Sequence, residues 1–412
     1  MLKILRTIAR ISVGLLFVFS GYVKVIDPIG SQIKFGEYFE AFSMHGLIPV
    51  ALIFGIILSV GELLIGLGLL FGLRMKQVSW AALLFMIFMT GLTFVLAVTD
   101  AVKDCGCFGD AIKLTNRQTF YKNLIILPVV IFIFAQRKKY KQIMCCTAEW
   151  ITAGTFAFLC TCFLIYNYRH LPFIDFMPYK CGVNIPEAMI VPENAPKDVF
   201  EESTFIYEKN GERKTFTLDD LPDETWTFID APAPKLLKAG YSAPARDFTV
   251  SRNGEHIQNE ILEREGYLVF VTSYNINGIK DKYANVLKDV YEYCTNNNIE
   301  FVFLSGSSER DNDNFKEKND LSFDIYFTDE TVLKSMVRSN PGLMLLKDGT
   351  ILKKRNILDV SVSDTDKAVK DDPKKVISEY ETRKSLSILI SVLFTVICFA
   401  FFSFKAVKKA KQ

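Results

Sequence analysis

The segment Asp104-Cys105-Gly106-Cys107-Phe108-Gly109-Asp110 puts two thiols and two carboxylates within seven residues. Thiol exchange needs a thiolate, an accessible sulfur and a second cysteine to resolve the mixed disulfide. Cys105 and Cys107, one glycine apart, can close a small ring, and Gly106 tolerates the backbone angles this demands. A strained ring is easily reduced and therefore oxidising. Asp104 and Asp110 oppose the thiolate, because nearby carboxylates raise a thiol's pKa. Three other readings stay open: a structural disulfide from Cys105 or Cys107 to Cys181, a metal site, and an inert loop. A metal needs more ligands than two thiolates, and the chain offers only His45, His170 and His256, so no metal residues are assigned.

A second group able to do chemistry is Glu62, which follows Gly61 well inside an apolar run. A carboxylate at that depth is costly and must face the bundle interior, a partner cation or water. It reads either as a proton- or quinone-site group or as a buried partner of another span, for example of Lys24 or Asn123.

These residues sit among runs near the length needed to cross a bilayer, in a chain of 412 residues that is 50% hydrophobic with 35 Phe. The predicted spans are about Ile4–Val25, Ile48–Phe71, Val78–Val98, Phe120–Phe134, Trp150–Tyr168 and Leu386–Phe404. The first run follows basic residues like a signal peptide. It lacks a small-x-small cleavage site or a lipobox cysteine and is read as retained. Gly14 and Gly21, seven apart, share a helix face on which a neighbour can approach closely, and Lys24 can pair with Asp27 at the outer interface. Basic residues cluster at Lys3, Arg6 and Arg10, at Arg74 and Lys76, at Arg137 to Lys141, and at Lys405 to Lys411. With six spans all four clusters fall on one side, the cytoplasm. The Cys105–Cys107 loop and residues from about 169 to 385 then face outward, where disulfides form. Of the nine cysteines, Cys105, Cys107, Cys181 and Cys294 face out. Cys145 and Cys146 are cytoplasmic or interfacial, and Cys160, Cys162 and Cys398 lie in spans. The net charge of +2 gives no case for nucleic acid as a partner.

Arg10, Gly14, Ser20-Gly21, Lys24 and Asp27-Pro28, followed by Glu62 and then Cys105-Gly106-Cys107-Phe108-Gly109-Asp110, resemble the DoxX-like/MauE four-helix membrane family. The pattern is closest to its longer members in Bacteroidota and covers about residues 1–140. The family takes its names from a thiosulfate:quinone oxidoreductase subunit and a methylamine-utilisation protein. The resemblance implies a four-helix bundle and a part in redox or disulfide-linked maturation.

After the fifth span, a Pro-rich stretch through Pro186 and Pro196 reads as an ordered linker, and alternation around Asn210-Gly211 predicts a small hairpin between Phe205 and Ile229. From about Tyr241 to Leu358 strand and helix signals alternate: a buried strand at Tyr267–Thr272, a helix at Ile279–Asn297, strands at Phe301–Leu304 and Phe323–Phe327, a helix at Glu330–Val337 and strands after Pro341. With Ala243-Pro244-Ala245-Arg246-Asp247-Phe248-Thr249, Asn340-Pro341 and Lys347-Asp348-Gly349, this order resembles a thioredoxin-like fold of the peroxiredoxin/TlpA kind. In that group the first core strand leads to Cys-x-x-Cys at a helix start. Here the stretch is Ser273-Tyr274-Asn275-Ile276-Asn277-Gly278, without cysteine. The resemblance then implies binding of an extended segment at Asn340, Pro341, Tyr274 and Asn275, or structural cover over the bundle. A charged linker, Ser363–Lys375, and a helical stretch, Pro373–Arg383, lead into the sixth span.

The expected fold class is a membrane α-helical bundle of four helices plus two further spans, with an extracytoplasmic α/β thioredoxin-like domain. The expected divisions are 1–140 for the bundle, 141–168 for a basic loop and fifth span, 169–240 for a linker with hairpin, 241–360 for the thioredoxin-like domain, 361–385 for a charged linker and helix and 386–412 for the sixth span and tail. The expected location is the inner membrane with both termini cytoplasmic. The leading function is extracytoplasmic thiol–disulfide or quinone-linked electron transfer through Cys105 and Cys107, with Glu62 handling protons and quinone as the one candidate cofactor. The alternative is a membrane scaffold whose sheet domain binds an envelope partner. A transporter reading rests on Glu62 alone.

Overall fold

The computed structural model describes residues 2–382 and 385, except 103, 142–144, 198, 210, 233–235 and 239. The chain opens with helices α1 (Leu2–Ile26), α2 (Pro28–Ala41), α3 (Ala51–Phe71), α4 (Met75–Thr99), α5 (Asn116–Ala135) and α6 (Cys146–Arg169). Among the described residues, four segments are long and apolar enough to cross a membrane: His45–Phe71, which contains α3, and α4, α5 and α6. This makes the chain a membrane protein. Helix α1 has comparable length, 25 residues, but carries Lys3, Arg6, Arg10 and Lys24. The predicted sixth span, with Cys398, lies outside the described residues.

Helix α1 packs along α3, α4 along α5, and α6 against α1 and α3. Small residues set the α1–α3 spacing. A Cβ at Gly21 would lie 2.5 Å from the Leu63 backbone nitrogen, and one at Gly66 would lie 2.5 Å from that of Val18. Arg10 donates to the Leu69 and Leu70 carbonyls (2.7 and 3.2 Å), meeting the acceptors left over at the end of α3. Thr115 and Gln118 form a capping box that starts α5 at Asn116, four residues earlier than its apolar run begins.

Helix α2 lies between the first two predicted spans. Asp27 accepts from the Gly30 backbone N–H at 2.8 Å, and Pro28 follows at the first helical position, which together start a helix.

Beyond α6 come α7 (Ile185–Met189), β1 (Val199–Phe200), β2 (Thr204–Lys209), β3 (Glu212–Thr217), β4 (Thr227–Asp230) and β5 (Leu236–Lys238). Strands β3, β2 and β4 form an antiparallel sheet containing the predicted hairpin, and β1 pairs with β5. The remainder is β6 (Ser251–Arg252), β7 (Glu255–His256), α8 (Gln258–Leu262), β8 (Tyr267–Ser273), α9 (Asp281–Asn296), β9 (Glu300–Ser305), α10 (Glu309–Asn319), β10 (Ile325–Phe327), α11 (Glu330–Met336), β11 (Gly342–Lys347), β12 (Thr350–Asn356) and α12 (Val362–Lys370). Seven strands make one sheet in the order β12-β11-β8-β9-β10-β6-β7. Strands β8, β9 and β10 run parallel, β11 pairs antiparallel with β8, and β12 pairs antiparallel with β11.

The run of β8 is apolar because both faces of the strand are covered. Leu268 and Phe270 enter a core shared with Ile185, Ile261 and Leu333. Val269 and Val271 enter the opposite core with Leu287, Phe315 and Ala368. Cys294 is fully buried in the second core. Two differences from the sequence reading follow from packing. Tyr179, Cys181 and Ile185, within the expected linker, belong to the first core, and Ile185 donates to the Gly349 carbonyl. Residues 362–370, within the expected charged linker, are helix α12, because Thr365 and Ala368 share a buried face. The Asn340–Pro341 peptide is cis.

Candidate functional site

The loop between α4 and α5 carries the thiol pair. Cys105 and Cys107 are buried, free and 3.1 Å apart at their sulfurs. Gly106 has φ +60°, a conformation that brings its neighbours' side chains to one side, and its N–H donates to Asp104 Oδ1 at 3.0 Å. The strands of this loop are held from three directions. Asn116, in the first turn of α5, donates to the Val102 carbonyl at 2.7 Å. From α1, the Ser20 hydroxyl donates to the Cys107 carbonyl at 2.6 Å. From α2, the Tyr38 hydroxyl donates to the Cys105 carbonyl, and Lys34, one turn earlier, pairs with Asp104 at 3.1 Å. Helix α2 thus works as a bracket whose i and i+4 side chains both grip the loop.

Glu62 lies behind the pair. It forms an ion pair with Lys24 at 2.6 Å, both side chains being buried, and Lys24 also donates to Ser20 Oγ at 3.2 Å. Lys24 therefore meets Glu62 and not Asp27, because its side chain turns into the α1–α3 interface. The other partner considered for Glu62, Asn123, donates instead to Thr93 and the Met89 carbonyl. Glu62 and Cys107 nevertheless line one small cavity with Ser20, Phe108, Lys122 and Asn123. Lys122 sits over the Phe108 ring, 4.3 Å from its centroid.

These charges reverse the electrostatics expected from the loop alone. The Cys107 thiol is lowered to about 7, first by the hydrogen bond from Cys105 and further by Lys122 and Lys24, against an opposing push from burial. Cys105 is raised, first by that same hydrogen bond and then by burial. The two shifts run in opposite directions and favour a thiolate on Cys107 over one on Cys105. The Tyr38 phenol is also pushed up, by burial first.

An apolar cleft of about 140 Å³ adjoins the pair. Its walls come from Phe35 and Tyr38 of α2, Leu58 of α3, and Phe88, Met89 and Leu92 of α4. The exposed Phe88 and Met44 also line it, as do Asp27 and Asp110.

The other residues singled out from the sequence lie on the sheet domain. Asn340 accepts from Ser273 Oγ at 2.8 Å and donates to the Asn275 carbonyl at 2.7 Å, so the amide is engaged within its own domain. Pro341 is buried, Tyr274 half-buried and Asn275 exposed. Among these neighbours is Arg338, which the sequence reading missed. Its guanidinium pairs with Asp27 at 3.0 Å and Asp110 at 2.8 Å. It thereby joins the loop before β11 to the start of α2 and the end of the Cys105–Cys107 loop. No local pattern marks an arginine more than 200 positions from both partners. By contrast, Asp27-Pro28 was a readable signal for α2 and hence for Lys34 and Tyr38.

Comparison with known proteins bears on the helical part. No curated protein matches the chain. Residues 201–233, around the small hairpin sheet, match a domain of unknown function (DUF8463). Residues 2–136, from the start of α1 to the end of α5 and including the thiol loop, match the family of methylamine utilisation protein MauE.

Proposed function

We propose that the chain takes part in extracytoplasmic thiol–disulfide or quinone-linked electron transfer, with Cys105 and Cys107 as the redox pair. The observation that carries this reading is the two sulfurs 3.1 Å apart on the wall of an apolar cleft that residues of the membrane helices also line. Oxidation joins the two sulfurs and releases two electrons and two protons. A membrane quinone takes up both and leaves as the quinol. The disulfide is then attacked by the thiolate of an envelope protein. The resulting mixed disulfide is resolved by that protein's second thiol, which returns the pair to its reduced form. Glu62 is the group assigned to proton handling, supported by its place on the cavity that Cys107 lines. The MauE match over residues 2–136 supports a redox role for the bundle.

In this reading the bundle and the remaining spans lie in the inner membrane with both termini cytoplasmic. The sheet domain is thioredoxin-like, supported by the parallel β8-β9-β10 and the antiparallel β11-β12 beside them. A second reading has a specific observation in its favour. Ser273 to Gly278 hold no cysteine, and the loop of Arg338 is bound to the bundle. These features suit a scaffold whose sheet domain holds an envelope partner. The deciding experiment measures the thiol state of Cys105 and Cys107 by alkylation and mass spectrometry, before and after adding a water-soluble quinone analogue to the reduced protein. Disulfide formation that is lost in Cys105→Ser and Cys107→Ser supports the relay. A pair that stays reduced moves the assignment to the scaffold.

A further inference from the structure

Arg338 links two cavities. On its bundle side are its partners Asp27 and Asp110, which line the apolar cleft together with the thiols. On its other side is a second, more polar cavity of about 550 Å³, lined by Arg338 itself with His170, Asp175, Lys354 and Asp359. The guanidinium is buried, donates to both carboxylates and is braced by the preceding turn of chain, donating to the Lys334 carbonyl at 2.7 Å. Charge holds it there. Burial lowers the guanidinium's pKa, but Asp27 and then Asp110 outweigh that and raise it above its ordinary value. The thiols behind it are only 4% and 8% exposed. The apolar cleft leads from them to Phe88, 62% exposed on a helix apolar enough to cross a membrane.

We infer that Arg338 determines which class of partner reaches Cys105 and Cys107. With the guanidinium seated on Asp27 and Asp110, the pair is open from the bilayer, to a lipid-soluble ring compound of the quinone class, and closed to protein thiols on the aqueous side. Release of Arg338 joins the two cavities and admits an extended cysteine-bearing segment of an envelope protein. The sheet domain, which has no cysteine to offer in its own Ser273–Gly278 segment, thus acts as the selector for the thiols of the bundle. The inference rests on the redox reading only in treating these thiols as the groups to be reached.

Access is measurable without electron transfer. The full-length reduced protein, in lipid nanodiscs, is treated in parallel with a lipophilic N-alkyl maleimide and a charged, membrane-impermeant maleimide. Modification of the peptide holding Cys105 and Cys107 is followed by mass spectrometry. In wild type the lipophilic reagent should react faster, relative to a free thiol, by about tenfold or more. Loss of charge-assisted hydrogen bonds in Arg338→Ala should raise the charged reagent's rate by about tenfold and leave the lipophilic reagent's rate within about twofold. Asp110→Asn, which removes one partner and keeps Asp27, should shift the charged rate in the same direction by less. Equal reaction of both reagents with wild type overturns the inference, and this comparison needs no variant to fold. An unchanged charged rate in folded Arg338→Ala overturns it as well. If labelling follows the expected pattern while the pair stays reduced with quinone analogues, the gate stands and the redox reading fails.

Discussion

Cys107 should titrate close to neutrality while Cys105 keeps its proton. Its thiol is lowered from 9.0 to about 7, chiefly by the hydrogen bond from Cys105 and then by Lys122 and Lys24. Because the folded value lies below the unfolded one, the thiolate stabilises the fold fully above about pH 9, and this contribution is lost as the pH falls through about 7. The rate of iodoacetamide modification of Cys107 in the reduced protein should therefore rise through a midpoint near 7. In Cys105→Ser, where the donor is weaker in acidity but similar in size, the midpoint should move upward, and a midpoint that stays put would sink the assignment of the hydrogen bond as the leading cause. Tyr38→Phe removes one hydrogen bond to the Cys105 carbonyl and should cost on the order of 1 kcal/mol, read as a lower thermal midpoint, with faster alkylation of the pair. The thiol pair itself was legible in the sequence, since two cysteines around a glycine state their chemistry locally. The sign of their electrostatics was not. Asp104 and Asp110 look hostile to a thiolate until Lys34 and Arg338 are seen to occupy them.

Glycine spacing made the α1–α3 contact readable one element at a time. Gly14 and Gly21, seven apart, share one close-packing face of α1. Their counterpart on α3 is Gly66, where an added Cβ would fall 2.5 Å from a backbone nitrogen. Gly66→Ala should therefore destabilise the bundle by roughly 1–3 kcal/mol, since backbone must move. Gly61→Ala, with nothing within 4 Å of its added Cβ, should be tolerated. Equal thermal midpoints for the two would contradict the close approach. The Lys24–Glu62 pair in the same interface allows a second comparison. Glu62→Leu strands a buried ammonium and should cost about 3–5 kcal/mol, whereas Lys24→Met with Glu62→Leu should be near neutral. Thiol oxidation that continues at the wild-type rate in the folded double variant would remove Glu62 from the proton route. Helix α2 was less legible, because its mixed composition gives neither a strong apolar stripe nor a span. Its start signal, Asp27-Pro28, is clear, but its purpose appears only when Lys34 and Tyr38 meet a loop some 70 residues away.

Across the whole molecule, charge and chemistry occupy opposite ends of the bundle. Arg6 donates to the Lys139 carbonyl at 3.2 Å, Arg10 caps the end of α3, and Arg74 lies over the Trp150 ring at the start of α6, so three basic segments gather at one end. Asp27, Asp110 and Arg338 join the thiol loop to the sheet domain at the other. An excess of Lys and Arg marks the cytoplasmic side of membrane helices, so this polarity supports the proposal that the thiols and the sheet face outward. That separation was the most legible large-scale feature, since hydropathy and basic loops are additive along a chain. The docking of sheet on bundle was not, because it uses pairs far apart in the sequence, Arg338 with Asp27 and Asp110 and His170 with Asp359. Limited proteolysis of spheroplasts provides the test. Protease added outside should degrade residues of the sheet domain and spare the basic segment around Arg137. Protection of the sheet domain until the cells are lysed would reverse the orientation. It would place the thiols in a reducing compartment, where a pair of this kind would not persist as a disulfide.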